Sequence, residues 1–248
     1  MGKNRLSREN IDLLHRLKTQ FPDYYKYYGR KISKKLSKKS LDLMNEYYQA
    51  FSLDEEIINY HELKKFNKKL IFTEAKFNRV NIEIGFGNGE FLLKSALANP
   101  DELFIGSEFY VNGIAKVLKE IVNLSIHNLK LTNLNSIYLL QSIQSNSVDK
   151  IYILNPDPWK KKRHHKRRLI SADNLKLFNK VIKSKKSIYI TTDSKDYLKS
   201  IKEISKTNRE FFGILDIEIL SDSNCLYGVS RYQRKAIENG GKIYLVRI

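Results

Sequence analysis

Cysteine is almost missing from these 248 residues. The single thiol, Cys225, has no mate for an internal disulfide and excludes a cysteine-rich zinc site. With no proline or acid beside it, Cys225 is also a poor nucleophile. Five histidines are present, none at metal-ligand spacing, and His164-His165 sits inside a basic run, so no metal is expected. Long apolar runs are absent as well. Nothing approaches the roughly 20 residues needed to cross a bilayer. The opening Met1-Gly-Lys-Asn-Arg-Leu-Ser7 lacks the apolar core of a secretory signal. Met1-Gly2 without a second membrane signal is not an anchor. These absences lead to the expectation of a reduced, cytoplasmic protein with no membrane partner. Acidic residues are the last shortage: 27 against 45 Lys and Arg, giving a formal charge of +18 and a pI near 9.7. A field of that size draws in polyanions, and nucleic acid ranks ahead of an anionic membrane surface.

What is present is enough for a full core: 42% hydrophobic residues in 29.1 kDa, the size of one α/β domain with a small extension. Residues 1–25 show weak helical periodicity at Ile11, Leu13, Leu14 and Leu17 and are read as an N-terminal extension. Residues 26–78 are read as a basic, aromatic arm followed by helix. Between Tyr24 and Lys39, tyrosines and cations alternate without a core pattern. This suits either stacking on bases with phosphate contacts or a solvated tail, and both stay open. From Val80 the pattern becomes strand-helix alternation, which sets a domain over 79–248. Expected strands lie at 80–84, 103–108, 129–131, 151–154 and 187–192, with helices between them. Two further strands, at 214–220 and 242–248, are expected to be joined by a polar loop and to form a closing hairpin.

The chemistry concentrates at two places. Gly85, Gly87 and Gly89 stand directly between a strand and a helix, where glycine permits a tight turn and the helix amino terminus favours an anion. Glu108 closes the next strand, where an acidic side chain accepts ribose hydroxyls. Glu83 has no apolar reason to sit inside a strand. It suits the amino group of an amino-acid moiety, or else a structural lysine pair. The glycine turn alone does not exclude a dehydrogenase, but no second glycine cluster follows a strand. The second place is Asn155-Pro-Asp-Pro-Trp159, just past a buried strand. Two prolines there hold Asp157 on a stiff loop where open α/β sheets bind ligands. Seven cationic residues follow between Lys160 and Arg168, suited to phosphate, or to plain solvated surface. Trp159 suits base stacking or core packing equally.

Taken together, Ile82-Glu-Ile-Gly-Phe-Gly-Asn-Gly89, Gly106-Ser-Glu108, Asn155-Pro-Asp-Pro-Trp-Lys-Lys-Lys-Arg-His-His-Lys-Arg-Arg168 and Thr191-Thr-Asp193 carry a family resemblance. From about Tyr28 to its end, the chain resembles the bacterial tRNA (guanine-N(7)-)-methyltransferases. The resemblance implies a three-layer, Rossmann-like class I methyltransferase fold. Its seven-stranded sheet would be mostly parallel, with an antiparallel C-terminal hairpin. It implies S-adenosylmethionine as methyl donor and tRNA as partner, acting as a monomer or homodimer. The expected product is 7-methylguanosine at the variable-loop guanosine, position 46. Asp157 is implied as the catalytic carboxylate. Glu83, Gly85, Gly87, Gly89, Glu108, Asn135 and Asp157 are implied at the donor. Lys161, Asp193, Ser230, Arg231, Tyr232 and Gln233 are implied at the substrate, and Arg163, Lys166, Arg167 and Arg168 on RNA. Two positions depart from the family pattern: Asn135 replaces an aspartate and Gln233 a glutamate, each losing charge assistance. An amino-methyltransferase acting on adenine or protein, and a non-catalytic RNA-binding module, remain alternatives.

Overall fold

Five short apolar segments, each cut off by glycine, proline or a polar turn, form the parallel part of one sheet. They are β1 (Arg79–Ile84), β2 (Glu102–Ser107), β3 (Leu129–Thr132), β4 (Lys150–Leu154) and β5 (Ile188–Thr192). In this computed structural model the described residues are 22–25, 35–62, 70, 77–184, 187–209, 215–220 and 231–248. The periodicity at 11–17, the aromatic and cationic stretch over 26–34, Cys225 and Ser230 lie outside the described residues. Two more strands, β6 (Asp216–Ile219) and β7 (Tyr244–Arg247), complete a seven-stranded sheet of order β3-β2-β1-β4-β5-β7-β6. β7 lies antiparallel to both β5 and β6, which is the expected closing hairpin.

Helices cover both faces. α1 (Lys38–Phe51), α3 (Glu90–Ala98) and α4 (Val111–Asn123) lie on one side. α2 (Asp54–Glu62), α5 (Ser136–Ser142), α6 (Ala172–Val181) and α7 (Lys195–Thr207) lie on the other. Strand alternation sorts the side chains: Leu103 and Ile105 enter one core while Phe104 enters the other. α4 shows the helical counterpart, with Ile114, Val117, Leu118 and Ile121 spaced three and four apart and all fully buried. Burying each such side chain contributes roughly 1.5–3 kcal/mol. Serine hydroxyls start α1, α6 and α7, where Ser37, Ser171 and Ser194 accept from amides three residues on.

One expectation is corrected. The connection between β6 and β7 carries a helix, α8 (Arg231–Glu238), where a polar loop was expected. Its Arg-Tyr-Gln-Arg-Lys-Ala-Ile-Glu sequence is rich in helix formers, but at eight residues, six of them polar or charged or a tyrosine, it is too short and too polar to stand out as a core-facing helix. No helix among the described residues is long and apolar enough to cross a membrane. Strand order reverses between β1 and β4, and the crevice above their carboxyl ends is where the glycine turn and the Asp157 loop meet.

Candidate active site

The turn after β1 is built from left-handed backbone. Gly85, Gly87 and Gly89 have φ of 75°, 56° and 74°. A Cβ at Gly85 or Gly87 would meet nothing within 4 Å, so it is the backbone conformation, not crowding, that demands glycine there. Glu108 closes the turn from below. Its Oε2 accepts from the Gly87 amide at 2.7 Å, and its Oε1 accepts from Phe109 and Tyr110 amides at 2.6 and 2.9 Å. About four lone-pair directions belong to a carboxylate, so little of Glu108 is left over. Gly113, in the first turn of α4, is not singled out by the sequence pattern. A Cβ there would lie 1.9 Å from the Gly87 carbonyl oxygen, so helix and turn touch backbone to backbone. The signal was present, because a glycine inside a helix costs about 1 kcal/mol against alanine and needs a reason.

Glu83 is 3% exposed inside β1, and its Oε2 has no hydrogen-bond partner among the described residues. Burial, and then the nearby Glu108 charge, push its carboxyl up to about 8, so it carries a proton at neutral pH. No lysine pairs with it among the described residues. Asn135 caps α5, its Oδ1 accepting from the Ile137 amide at 3.0 Å. Its own amide donates to the Tyr24 carbonyl at 2.8 Å. Tyr24 thereby docks the end of the N-terminal extension on the site. The ring stacks obliquely on Tyr138 at 4.2 Å, and the hydroxyl donates to Glu62 at 2.8 Å. Burial and Glu62 together drive the Tyr24 phenol far above its ordinary range. Nothing in the sequence pointed to this contact.

The loop after β4 is strained at both ends. Asn155 has φ of 51° and Trp159 has φ of 45°. Asparagine tolerates that region, but for tryptophan it costs of order 1–3 kcal/mol and has to be held by its surroundings. Part of the hold is the Asn155 amide, which donates to the Thr191 carbonyl and hydroxyl, both at 3.0 Å. Gln233, buried in α8, reaches the same hydroxyl at 3.4 Å and so joins the root of the loop. The buried Asn155 Oδ1 has no partner among the described residues. Trp159 is half-buried under the Arg167 guanidinium, 5.1 Å from the ring centre, with the His164 ring edge-on at 5.8 Å. The basic run itself folds into a 3-10 helix, Lys162–Arg167.

These pieces surround a cavity of about 850 Å³. Gly85, Glu108, Asn135, Asp157, Lys166, Arg167 and Arg168 all line it, as do Trp159 and, from the N-terminal extension, Asp23. Glu83, Gly87 and Gly89 are not among the residues that line it, and Gln233 contacts Thr191 at the root of the Asp157 loop. Lys161, Arg163 and Asp193 are exposed outside it. Arg231 and Tyr232 open α8, while Ser230 lies outside the described residues. Arg168 calls for a correction. It was grouped with the RNA-facing cations, yet it is 6% exposed and turned inward, where its donors meet protein acceptors. A run of like charges does not reveal which member will be buried.

Residues 78–246 match a family described as "Putative methyltransferase". A tRNA (guanine-N(7)-)-methyltransferase of Wolbachia pipientis wMel is 32% identical over 195 residues, which cover 78% of this chain and 85% of that protein. Its namesake in Jannaschia sp. (strain CCS1) is 33% identical over 163 residues, 64% of this chain and 67% of that one. A "Bifunctional methyltransferase" of Rickettsia bellii (strain RML369-C) is 35% identical over 75% of this chain. The chain spans about a third of that relative's length (33%). Among solved structures, the 16S rRNA methyltransferase KamB aligns over 73% of this chain and 98% of its own, with TM-score 0.51 and 13% identity. An antibiotic-related methyltransferase aligns over 91% and 96%, with TM-score 0.50 and 17% identity. At such identities the likeness is one of fold alone, the three-layer class I methyltransferase fold.

Proposed function

Because the chain belongs to the tRNA (guanine-N(7)-)-methyltransferase family, we propose that it transfers a methyl group from S-adenosylmethionine to N7 of a guanine in tRNA. The carrying observation is that one cavity brings the glycine turn and Glu108 together with the proline-held Asp157. The variable-loop guanosine at position 46 is the proposed acceptor, and the cytoplasm the proposed setting.

The residues present suit the donor. Open space stands over the left-handed Gly85 and Gly87, and two buried acceptor atoms, Glu83 Oε2 and Asn155 Oδ1, await donors. Glu83 and Glu108 would take the amino and ribose groups, and the Asn135 side chain the adenine amino group. When bound, the donor supplies an electrophilic methyl on a cationic sulfur. Guanine N7 already carries a lone pair, so no residue need remove a proton before attack. What remains is alignment and charge. Fixing the base at the correct distance and angle can account for about 7–11 kcal/mol of barrier. Asp157 would accept from the guanine edge and face the positive charge that grows on the ring. Pro156 and Pro158 restrict how far that carboxylate can retreat. Lys161, Lys166 and Arg167 supply cations for phosphate, with Asp193, Arg231 and Tyr232 proposed on the substrate side.

Incubating the protein with unmodified tRNA and labelled donor, then identifying nucleosides by mass spectrometry, tests this directly. Label in 7-methylguanosine is expected; label on an exocyclic amine, or none, would refute it. Asp157→Ala should remove the product while donor affinity stays within about threefold, since base alignment and not donor binding is lost.

A further inference from the structure

We propose that Arg168 and Asp196 form a positioning pair that fixes the Asp157 loop in its working shape. The role rests on the methyl-transfer function proposed above. Arg168 differs from its neighbours in the basic run: its side chain is 4% exposed, whereas Lys161, Lys162 and Arg163 face solvent. Its Nε donates to the Pro158 carbonyl at 2.9 Å, the residue directly after Asp157. Its Nη2 donates to Asp196 Oδ2 and lies 3.0 Å from His165 Nε2. The guanidinium plane sits 4.8 Å from the centre of the Tyr197 ring. Tyr197 is fully buried and accepts from the Ile170 amide at 3.0 Å, so the ring beneath Arg168 is itself held.

The loop needs such a hold. Between Asn155 and Trp159 two of five residues are prolines and two take left-handed backbone, so few amides are available and strain is high. The Pro158 carbonyl is an acceptor that a buried fork can grip, and Arg168 grips it while Asp196, in the first turn of α7, orients the fork. The strand-capping helix α7 and the Asp157 loop are thereby joined through one side chain. A phosphate-binding role would instead require the guanidinium donors to face solvent.

The test uses the full chain carrying Asp196→Ala, Asp196→Asn, Arg168→Lys or Arg168→Gln. Trp159 is the sole tryptophan, so acrylamide quenching of its fluorescence reports the loop directly. For Asp196→Ala and Arg168→Lys, turnover at saturating tRNA and donor should fall about 10- to 100-fold, the scale of a misplacement near 1 Å. Quenching of Trp159 should rise. Affinity for tRNA and its salt slope should stay at wild-type values, and Asp196→Asn, which keeps an acceptor, should retain most turnover. Unchanged turnover and quenching in Asp196→Ala overturn the pair. So does an Arg168→Gln variant whose salt slope drops by about 0.9 with turnover intact, because that marks a phosphate contact. Should Arg168→Gln not fold, the exposed Asp196 variants carry the decision. If wild-type protein methylates no tRNA, the proposed function fails, while the quenching series still decides whether the pair holds the loop.

Discussion

Glu83→Gln isolates one buried proton, and its consequence can be worked through. In the fold the carboxyl holds its proton up to about pH 8, against an ordinary value of 4.5, because burial disfavours the charge and Glu108 repels it. The unfolded chain gives that proton up near 4.5. Between the two values the folded state binds more protons than the unfolded state, so stability falls as pH rises. The contribution is fully present below 4.5, declines across the window and is gone above about 8. At about 1.36 kcal/mol per pH unit, the interval amounts to at most about 5 kcal/mol. Glutamine has the shape of the protonated acid but nothing to titrate. Its extra donors enter a site where Oε2 already lacks a partner, at a cost of roughly 1–3 kcal/mol. Urea unfolding from pH 5 to 8.5 should therefore find the variant slightly less stable than wild type at the acid end and more stable at the alkaline end. Stability curves that run parallel across this window would show that Glu83 is not a buried acid, and the explanation given for it would fall. The same proton is linked to the proposed donor. An ammonium placed against Glu83 favours its ionisation, so binding at pH 7 should release a proton, seen as heat that varies with the ionisation enthalpy of the buffer.

Two further outcomes follow from geometry. Gly113→Ala would drive a Cβ into the Gly87 carbonyl oxygen at 1.9 Å and push the glycine turn out of place. Overpacking against backbone should cost about 1–3 kcal/mol in unfolding free energy and at least tenfold in donor affinity by calorimetry, and a variant with wild-type affinity would count against the turn as the donor seat. Replacing Lys161, Lys162 and Arg163 together with alanine should lower the salt dependence of tRNA binding by up to about 2.7 in slope, with donor affinity unchanged; an unaltered slope would make these cations plain surface.

The strand core was legible because a strand buried on both faces must be nearly continuous in apolar residues. Ile151 to Leu154, stopped by Asn155-Pro156, carries its own boundaries. The glycine turn was legible for a related reason, since left-handed φ at three alternating positions leaves few other residues possible. The illegible parts share a different cause. Tyr24 against Tyr138 is a ring contact and Arg168 against Asp196 a polar one; both join residues far apart in sequence, and no local period records such a pairing. α8 escaped because it is only eight residues long and strongly polar on average. Asn135 was read for its charge alone, yet its position also has to cap α5, a duty asparagine performs as well as aspartate.

Charge is sorted within the molecule in a way that suits two unlike substrates. The chain as a whole carries +18, which favours an extended polyanion at long range. Inside the cavity both signs meet: Asp23, Glu108 and Asp157 line it together with Lys166, Arg167 and Arg168, while the buried Glu83 of β1 keeps its proton at neutral pH. Glu108 is buried, so a cation beside it is screened less than in bulk water, whereas Asp157 and the lysines proposed for phosphate are exposed. In the proposed reaction the donor arrives with a cationic sulfur and leaves without that charge, while the purine ring gains it. The carboxylates then favour the substrate form of the donor over its product, and Asp157, on the purine side, favours the charge in its new place. On the proposed mechanism, carboxylates held at the donor and purine sides of one cavity would provide both an affinity difference that helps spent donor depart and an electrostatic reason for the methyl group to move toward the base.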